Sequence, residues 1–222
     1  EAARDIYAAR VSLCGFFGGD DPARIVFTSN ATEALNIAIH GLIGAGEHVI
    51  TTQLEHNSVL RPLYMRRDAG ADIEIVPCRE NGMADVDAMI AAIRPDTKAI
   101  VCTHASNLTG NVTDIAALGQ AARNRGILFI VDASQTAGIL PINVKAMNID
   151  VLCFTGHKSM LGPQGTGGMY VGERADIRPF KSGGTGVQSF LEHQPDALPQ
   201  RLEAGTLNGP GIVGLKVATE RI

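Results

Sequence analysis

The stretch Ile127-Leu128-Phe129-Ile130-Val131-Asp132-Ala133-Ser134-Gln135 orients the reading of the whole chain. Its five leading apolar residues, three of them β-branched, are too few for a helix and show no polar alternation. That is the mark of a strand buried on both faces. The run stops at Asp132 and a small polar cluster, so a buried strand delivers a carboxylate at its carboxyl end. Upstream, Ile115–Arg125 places apolar residues at helical spacing. Downstream, Val151–Phe154 is a second short apolar run, and it ends in Thr155-Gly156-His157-Lys158.

The same alternation extends in both directions. Strands are predicted over Arg24–Thr28, His48–Thr52, Ile73–Val76, Ala99–Thr103, Ile127–Val131, Val151–Phe154 and Gly168–Val171. Helices are predicted over Ala2–Leu13, Thr32–Ile43, Ser58–Ala69, Val86–Ile93, Ile115–Arg125 and Val213–Ile222. Strands alternating with Ala-rich helices predict an α/β fold, a mostly parallel seven-stranded sheet in a three-layer αβα sandwich. The connection from Val151–Phe154 to Gly168–Val171 leaves no room for a crossover helix, so the last strand is expected to be antiparallel. Lys181–Gln200, rich in Gly, Ser, Gln and Pro, reads as a long loop.

Composition narrows the function classes. The 222 residues carry 19 basic and 23 acidic side chains, a net charge of −4, with no concentrated basic face to bind nucleic acid. No apolar run approaches the ~20 residues that cross a bilayer, and no secretory signal pattern opens the chain. Cys14, Cys78, Cys102 and Cys153 lie far apart, without the close pairs of a zinc site, so no metal is expected. These features predict a reduced, cytoplasmic protein. The chain starts at Glu1, without Met, and stops at Ile222 within a helical pattern.

In an open α/β sheet, ligands bind beyond the carboxyl ends of the parallel strands. Five predicted strands end in polar clusters: Ser29-Asn30-Ala31-Thr32-Glu33, Gln53-Leu54-Glu55-His56-Asn57, His104-Ala105-Ser106-Asn107, Asp132-Ala133-Ser134-Gln135 and Thr155-Gly156-His157-Lys158. Caps and turns favour Ser, Thr, Asn and Asp, which accounts for each cluster alone. It does not account for His56, Asp132, His157 and Lys158 together. A helix opening at Ser29–Thr32 suits a phosphate. A buried-strand carboxylate such as Asp132 suits a protonated ring nitrogen, and a lysine on the same rim can form an imine with an aldehyde. Phosphate, ring nitrogen and aldehyde together describe pyridoxal 5′-phosphate. Lys158 follows His157 rather than Gly, against a Walker motif, and no ordered Gly-x-Gly-x-x-Gly follows the first strand.

With these residues in order, the chain resembles the class V aminotransferase family of fold type I pyridoxal-phosphate enzymes, in its cysteine desulfurase and selenocysteine lyase branch. Phe27–Asn36 is similar to the family's phosphate-binding segment, Leu54–Ser58 to the segment whose histidine stacks on the pyridine ring, and Ser106-Asn107 to the pair whose Asn approaches the ring hydroxyl. Val131–Gln135 and Phe154–Lys158 match the segments of the ring-nitrogen Asp and the Schiff-base Lys. Gly162–Gly167 and Arg201–Asn208 continue the likeness, and Ser182–Gly186 resembles the Gly-rich loop between them.

The resemblance implies the large domain of an aspartate aminotransferase-like fold over residues 1–222, without the family's N-terminal segment and C-terminal small domain. It implies Lys158 and His56 as catalytic residues. Cofactor contacts would come from Ala31, Thr32, His56, Asn107, Asp132, Gln135, Thr155, His157 and Lys158, with Thr206 reaching the phosphate of a second subunit in a homodimer with shared sites. Thr185 is a further contact that a mobile loop explains equally well. The implied reaction takes sulfur from L-cysteine or a similar amino acid, leaving alanine and a persulfide to pass to a sulfur-acceptor protein. Another class V activity, such as an aminotransferase or selenocysteine lyase, shares this pocket, and a non-catalytic binding domain shares the fold. None of the four Cys matches the family's nucleophile, and no substrate-carboxylate Arg is assigned, so this chain alone is expected to turn over little or no cysteine. Ser29-Asn30 and Asn57 depart from the family pattern without removing a charge the cofactor needs.

Overall fold

The computed structural model describes residues 2–222. Helix α1 (Ala2–Phe16) leads through a 3-10 turn at Pro22–Arg24 into β1 (Ile25–Thr28) and α2 (Ala31–Leu42). There follow β2 (His48–Thr52), α3 (Asn57–Asp68), β3 (Asp72–Val76), α4 (Val86–Ala91), β4 (Thr97–Thr103), α5 (Ile115–Asn124) and β5 (Leu128–Asp132). The chain closes with β6 (Val151–Thr155), β7 (Gly167–Val171) and α6 (Gly209–Thr219).

The seven strands form one sheet in the order β1-β7-β6-β5-β4-β2-β3. Strand β7 is antiparallel to both neighbours, and every other pairing is parallel. The remaining strands therefore all point one way, and their carboxyl ends share one edge. Side-chain alternation divides the core into two layers. Phe129 and Val131 of β5 pack with α1, α4, α5 and α6, whereas Leu128 and Ile130 pack with α2 and α3. Burial on both faces explains why β5 reads as an unbroken apolar run. Each such side chain contributes about 2 kcal/mol by leaving water.

Element identities match the sequence reading, and the boundaries shift for physical reasons. Strand β5 runs one residue further, to Asp132, whose Cα pairs with Thr103 and whose carbonyl accepts the His104 N–H at 3.0 Å. Helix α6 begins at Gly209 rather than Val213. The Asn208 side chain caps it by accepting the Gly211 N–H, and Pro210 stands in the first turn, where its missing N–H costs nothing. Helix α4 stops at Ala91, two residues short of the predicted end. Lys181–Gln200 contains no helix or strand. Lys181 Nζ ties its start to Glu33 at 2.6 Å.

One close approach places the site. The start of α2 lies against β7, and a Cβ on Gly167 would come 2.7 Å from the Asn30 Cα. Only glycine lets the helix end sit that low over the sheet.

Candidate active site

Five strand ends converge on a cavity of about 210 Å³ at the carboxyl edge of the sheet. After β1 come Asn30, Ala31 and Thr32, and after β2 come His56 and Ser58. Strand β4 and the turn beyond it contribute Thr103, Ala105 and Asn107. Strand β5 brings Asp132, Ser134 and Gln135, and β6 brings Thr155, His157 and Lys158. Every site residue expected from the sequence lines this cavity except Thr206. That residue is exposed and borders an adjacent recess of about 240 Å³ with Lys181, Glu33 and Asn208. Thr185 lies in the long loop, its hydroxyl donating to the Val187 carbonyl at 2.9 Å.

The α2 end of the cavity is an anion site in its chemistry. The Asn30 side chain accepts the Glu33 N–H at 3.0 Å, and the Asn30 carbonyl accepts that of Ala34. The N–H groups of Ala31 and Thr32 stay outside the helix ladder, at the positive end of the dipole. Glu33 turns away from the cavity, because its carboxylate accepts from the Ser29 N–H and hydroxyl and pairs with Lys181. Those bonds hold its carboxyl below the usual carboxylate range against the opposing effect of burial, which is the largest single influence. Across the cavity, Thr155 Oγ1 and His157 Nδ1 lie 2.9 Å apart. The turn that presents them is closed by Leu161 N–H to the Lys158 carbonyl at 2.9 Å and Gly162 N–H to the Gly156 carbonyl at 2.8 Å.

Asp132 is 3% exposed, and its Oδ1 accepts the Ser134 N–H at 2.9 Å and the Ser134 hydroxyl. Its other oxygen makes no hydrogen bond among the described residues and is left for the cavity. His56 caps α3, its Nδ1 accepting the Ser58 N–H at 3.1 Å. That bond assigns the ring hydrogen to Nε2. The Ser58 hydroxyl then links His56 Nδ1 and Thr32 Oγ1, at 2.8 Å from each. Lys158 lines the cavity and makes no ion pair among the described residues.

Ser58, Ser134 and Glu55 are supporting residues that the sequence reading passed over. Ser134 had a local signal, since a Ser two positions after an Asp at a strand end invites an Asx-type turn. Glu55 had none, because its partners lie on two separate strands. All four cysteines are free thiols, none lines the cavity, and burial pushes the thiols of Cys102 and Cys153 well up. Among the described residues no cluster of His, Cys, Asp and Glu could hold a metal ion, and no helix is long and apolar enough to cross a membrane.

The chain is similar to known proteins along its length. The profile of the family described as Aminotransferase class-V matches residues 1–222. A protein of Methanothermobacter thermautotrophicus named "Probable cysteine desulfurase" is 35% identical over 219 residues, covering 96% of this chain and 54% of that one. The apo structure of a cysteine desulfurase from Thermococcus onnurineus NA1 superposes with a TM-score of 0.91 at 31% identity, over 99% of this chain and 56% of that one. A structure described as SspA in complex with cysteine gives a TM-score of 0.86 at 33% identity, over 99% and 61%. The chain thus spans about half the length of the curated relatives it matches.

Proposed function

We propose, from the premise that this chain belongs to the class-V aminotransferase family, that it is the pyridoxal 5′-phosphate-binding large domain of a cysteine desulfurase, spanning residues 1–222. The observation that carries the reading is the cavity itself. A lysine amine and a carboxylate oxygen, each without a partner among the described residues, open on it beside a helix N-terminus.

The residues present fit the group. The Ala31 and Thr32 N–H groups, the Thr32 and Thr155 hydroxyls and His157 would hold its phosphate. The free oxygen of Asp132 would hold the ring nitrogen with its proton, opposite charges favouring both charged forms. Gln135 and Asn107 would meet the polar substituent of the ring, and His56 would cover one ring face. When bound, the cofactor supplies an aldehyde that captures amines and a ring that takes up electrons released at the α-carbon. Lys158 would bind that aldehyde through its amine. Once displaced by an amino-acid substrate, the same amine would take the α-proton, being the base nearest to it. The Nε2–H of His56 would orient the ring and relay a proton at its face.

L-cysteine is the substrate this reading favours, in keeping with the cysteine held by one structural neighbour, and its sulfur would leave to an acceptor thiol. Thr206, exposed and outside this chain's own cavity, would reach the phosphate in a second copy, making a homodimer with shared sites. The four free thiols accord with a reducing, cytoplasmic setting.

Purified protein mixed with pyridoxal 5′-phosphate should show a visible imine absorbance that borohydride abolishes, and Lys158→Ala should lose it. Equal behaviour of wild type and variant sinks the assignment. Given L-cysteine, the whole enzyme should release alanine and sulfur, whereas amino-group transfer to a keto acid would mark an aminotransferase.

A further inference from the structure

Strands β2 and β4 separate below the cavity. Their Cα pairing runs from His48 to Ile50 and then stops, while β4 continues to Thr103. The Thr103 N–H therefore lacks a backbone acceptor from β2. The Glu55 side chain takes over that place. Its Oε1 accepts the Thr103 N–H at 3.0 Å and the Thr52 hydroxyl at 2.6 Å. The Thr52 hydroxyl in turn accepts the Leu54 N–H at 3.1 Å. One carboxyl oxygen thus ties the Thr52–His56 turn to the end of β4. His56, the next residue, lines the cavity, and the Thr103 Cα is the sheet partner of Asp132.

The other oxygen of Glu55 is buried and has no partner among the described residues. The titratable groups that face this carboxyl are Asp132 from β5 and the Cys102 thiol from β4, and no lysine or arginine pairs with it among the described residues. A carboxylate would here keep part of its charge on an unpartnered buried oxygen beside another acidic group. A neutral acid avoids both costs while keeping the acceptor that Thr103 and Thr52 need.

We propose that Glu55 is held as a neutral carboxylic acid and is the positioning residue of this pocket, joining the turn that presents His56 to the strand end that pairs with Asp132. Its protonation stands on the geometry alone, and its consequence for cofactor binding rests on the function proposed above. A neutral Glu55 would leave the anionic role in the pocket to Asp132 and still locks both walls in register. Burial, opposed in part by the two hydrogen bonds, pushes this carboxyl up to about 8, in agreement with the geometry.

The test compares wild type, Glu55→Gln and Glu55→Ala, all as the purified protein. Infrared difference spectra between wild type and Glu55→Gln should show the carbonyl stretch of a protonated carboxyl two pH units below that value and lose it two units above. Absence of the band at the lower pH overturns the protonation. In titrations with pyridoxal 5′-phosphate, Glu55→Gln should bind within about twofold of wild type and Glu55→Ala about tenfold more weakly. Wild-type affinity in Glu55→Ala, or a tenfold loss in Glu55→Gln, overturns the positioning role. If Glu55→Ala does not fold, the glutamine variant still decides. A wild type that takes up no cofactor sinks the proposed function instead, and the infrared band then decides the claim for Glu55.

Discussion

Glu55 and Glu203 occupy two corners of the sheet, equally buried at 7% and 8% exposure, and each completes an open backbone ladder. They do so with opposite partners. Strand β1 is an edge, and its outer side would leave the Ile25 carbonyl and the Phe27 N–H unpaired. Glu203 accepts the Phe27 N–H at 2.7 Å, and Arg10, lying over the Phe27 ring, donates to the Ile25 carbonyl. Arg10 and Glu203 then close on each other with two bonds of 2.8 and 2.6 Å. Both carboxylate oxygens there are matched, and the pair fastens α1 and the segment before α6 to the edge strand. Among the described residues, Glu55 answers the same need at β4 with no cation and one orphan oxygen. A buried carboxyl that caps a ladder is therefore stable in either form. At one corner a guanidinium pairs with the carboxyl, and at the other burial without a cation, with Asp132 adding to it, favours the acid.

Breaking the matched corner has the largest expected effect. Arg10→Met leaves Glu203 as a buried charge without a partner and should cost about 3–5 kcal/mol, read as a lowered urea midpoint. A loss below about 1 kcal/mol would show that the corner is open to water.

The second experiment reads the acid at the other corner. The folded protein holds the Glu55 proton up to about pH 8, and the unfolded chain releases it near 4.5. Between those values the unfolded state binds fewer protons, so stability falls as pH rises, and it levels off on either side. From about pH 5.5 to 7.5 wild type should lose roughly 3 kcal/mol relative to Glu55→Gln. Parallel stability profiles for the two proteins would place the charged form in the fold and erase the contrast between the corners.

The smallest effect sharpens the comparison by making the corners alike. Adding Glu203→Gln to Arg10→Met keeps an acceptor for the Phe27 N–H and removes the stranded charge, so it should restore about 2 kcal/mol of the loss. No recovery in the double variant would mean that Arg10 acts through packing on Phe27 rather than through its charge.

Much of this architecture is legible in short runs of residues. Val151–Phe154 and Ile127–Val131 read as strands because both faces are buried and nothing polar interrupts them. His48–Thr52 is recovered to the residue. The rim was legible too, since polar residues concentrated in one place after each strand point to one edge of a parallel sheet. The start of α6 was not, because Gly209-Pro210-Gly211 looks like a loop until Asn208 caps it.

Local chemistry in the chain decides which strand carries which rim residue, because side-chain period and cap residues are properties of neighbours. Asp132, Lys158 and His56 could therefore be assigned to one pocket without coordinates. The states of Glu55 and Glu203 could not. Both are single glutamates in ordinary segments, and what separates them is whether burial leaves the carboxyl without a cation or sets it against an arginine 193 positions away. Only the folded sheet takes both carboxyls out of water and brings the arginine to one of them, where desolvation and Coulomb interaction act strongly.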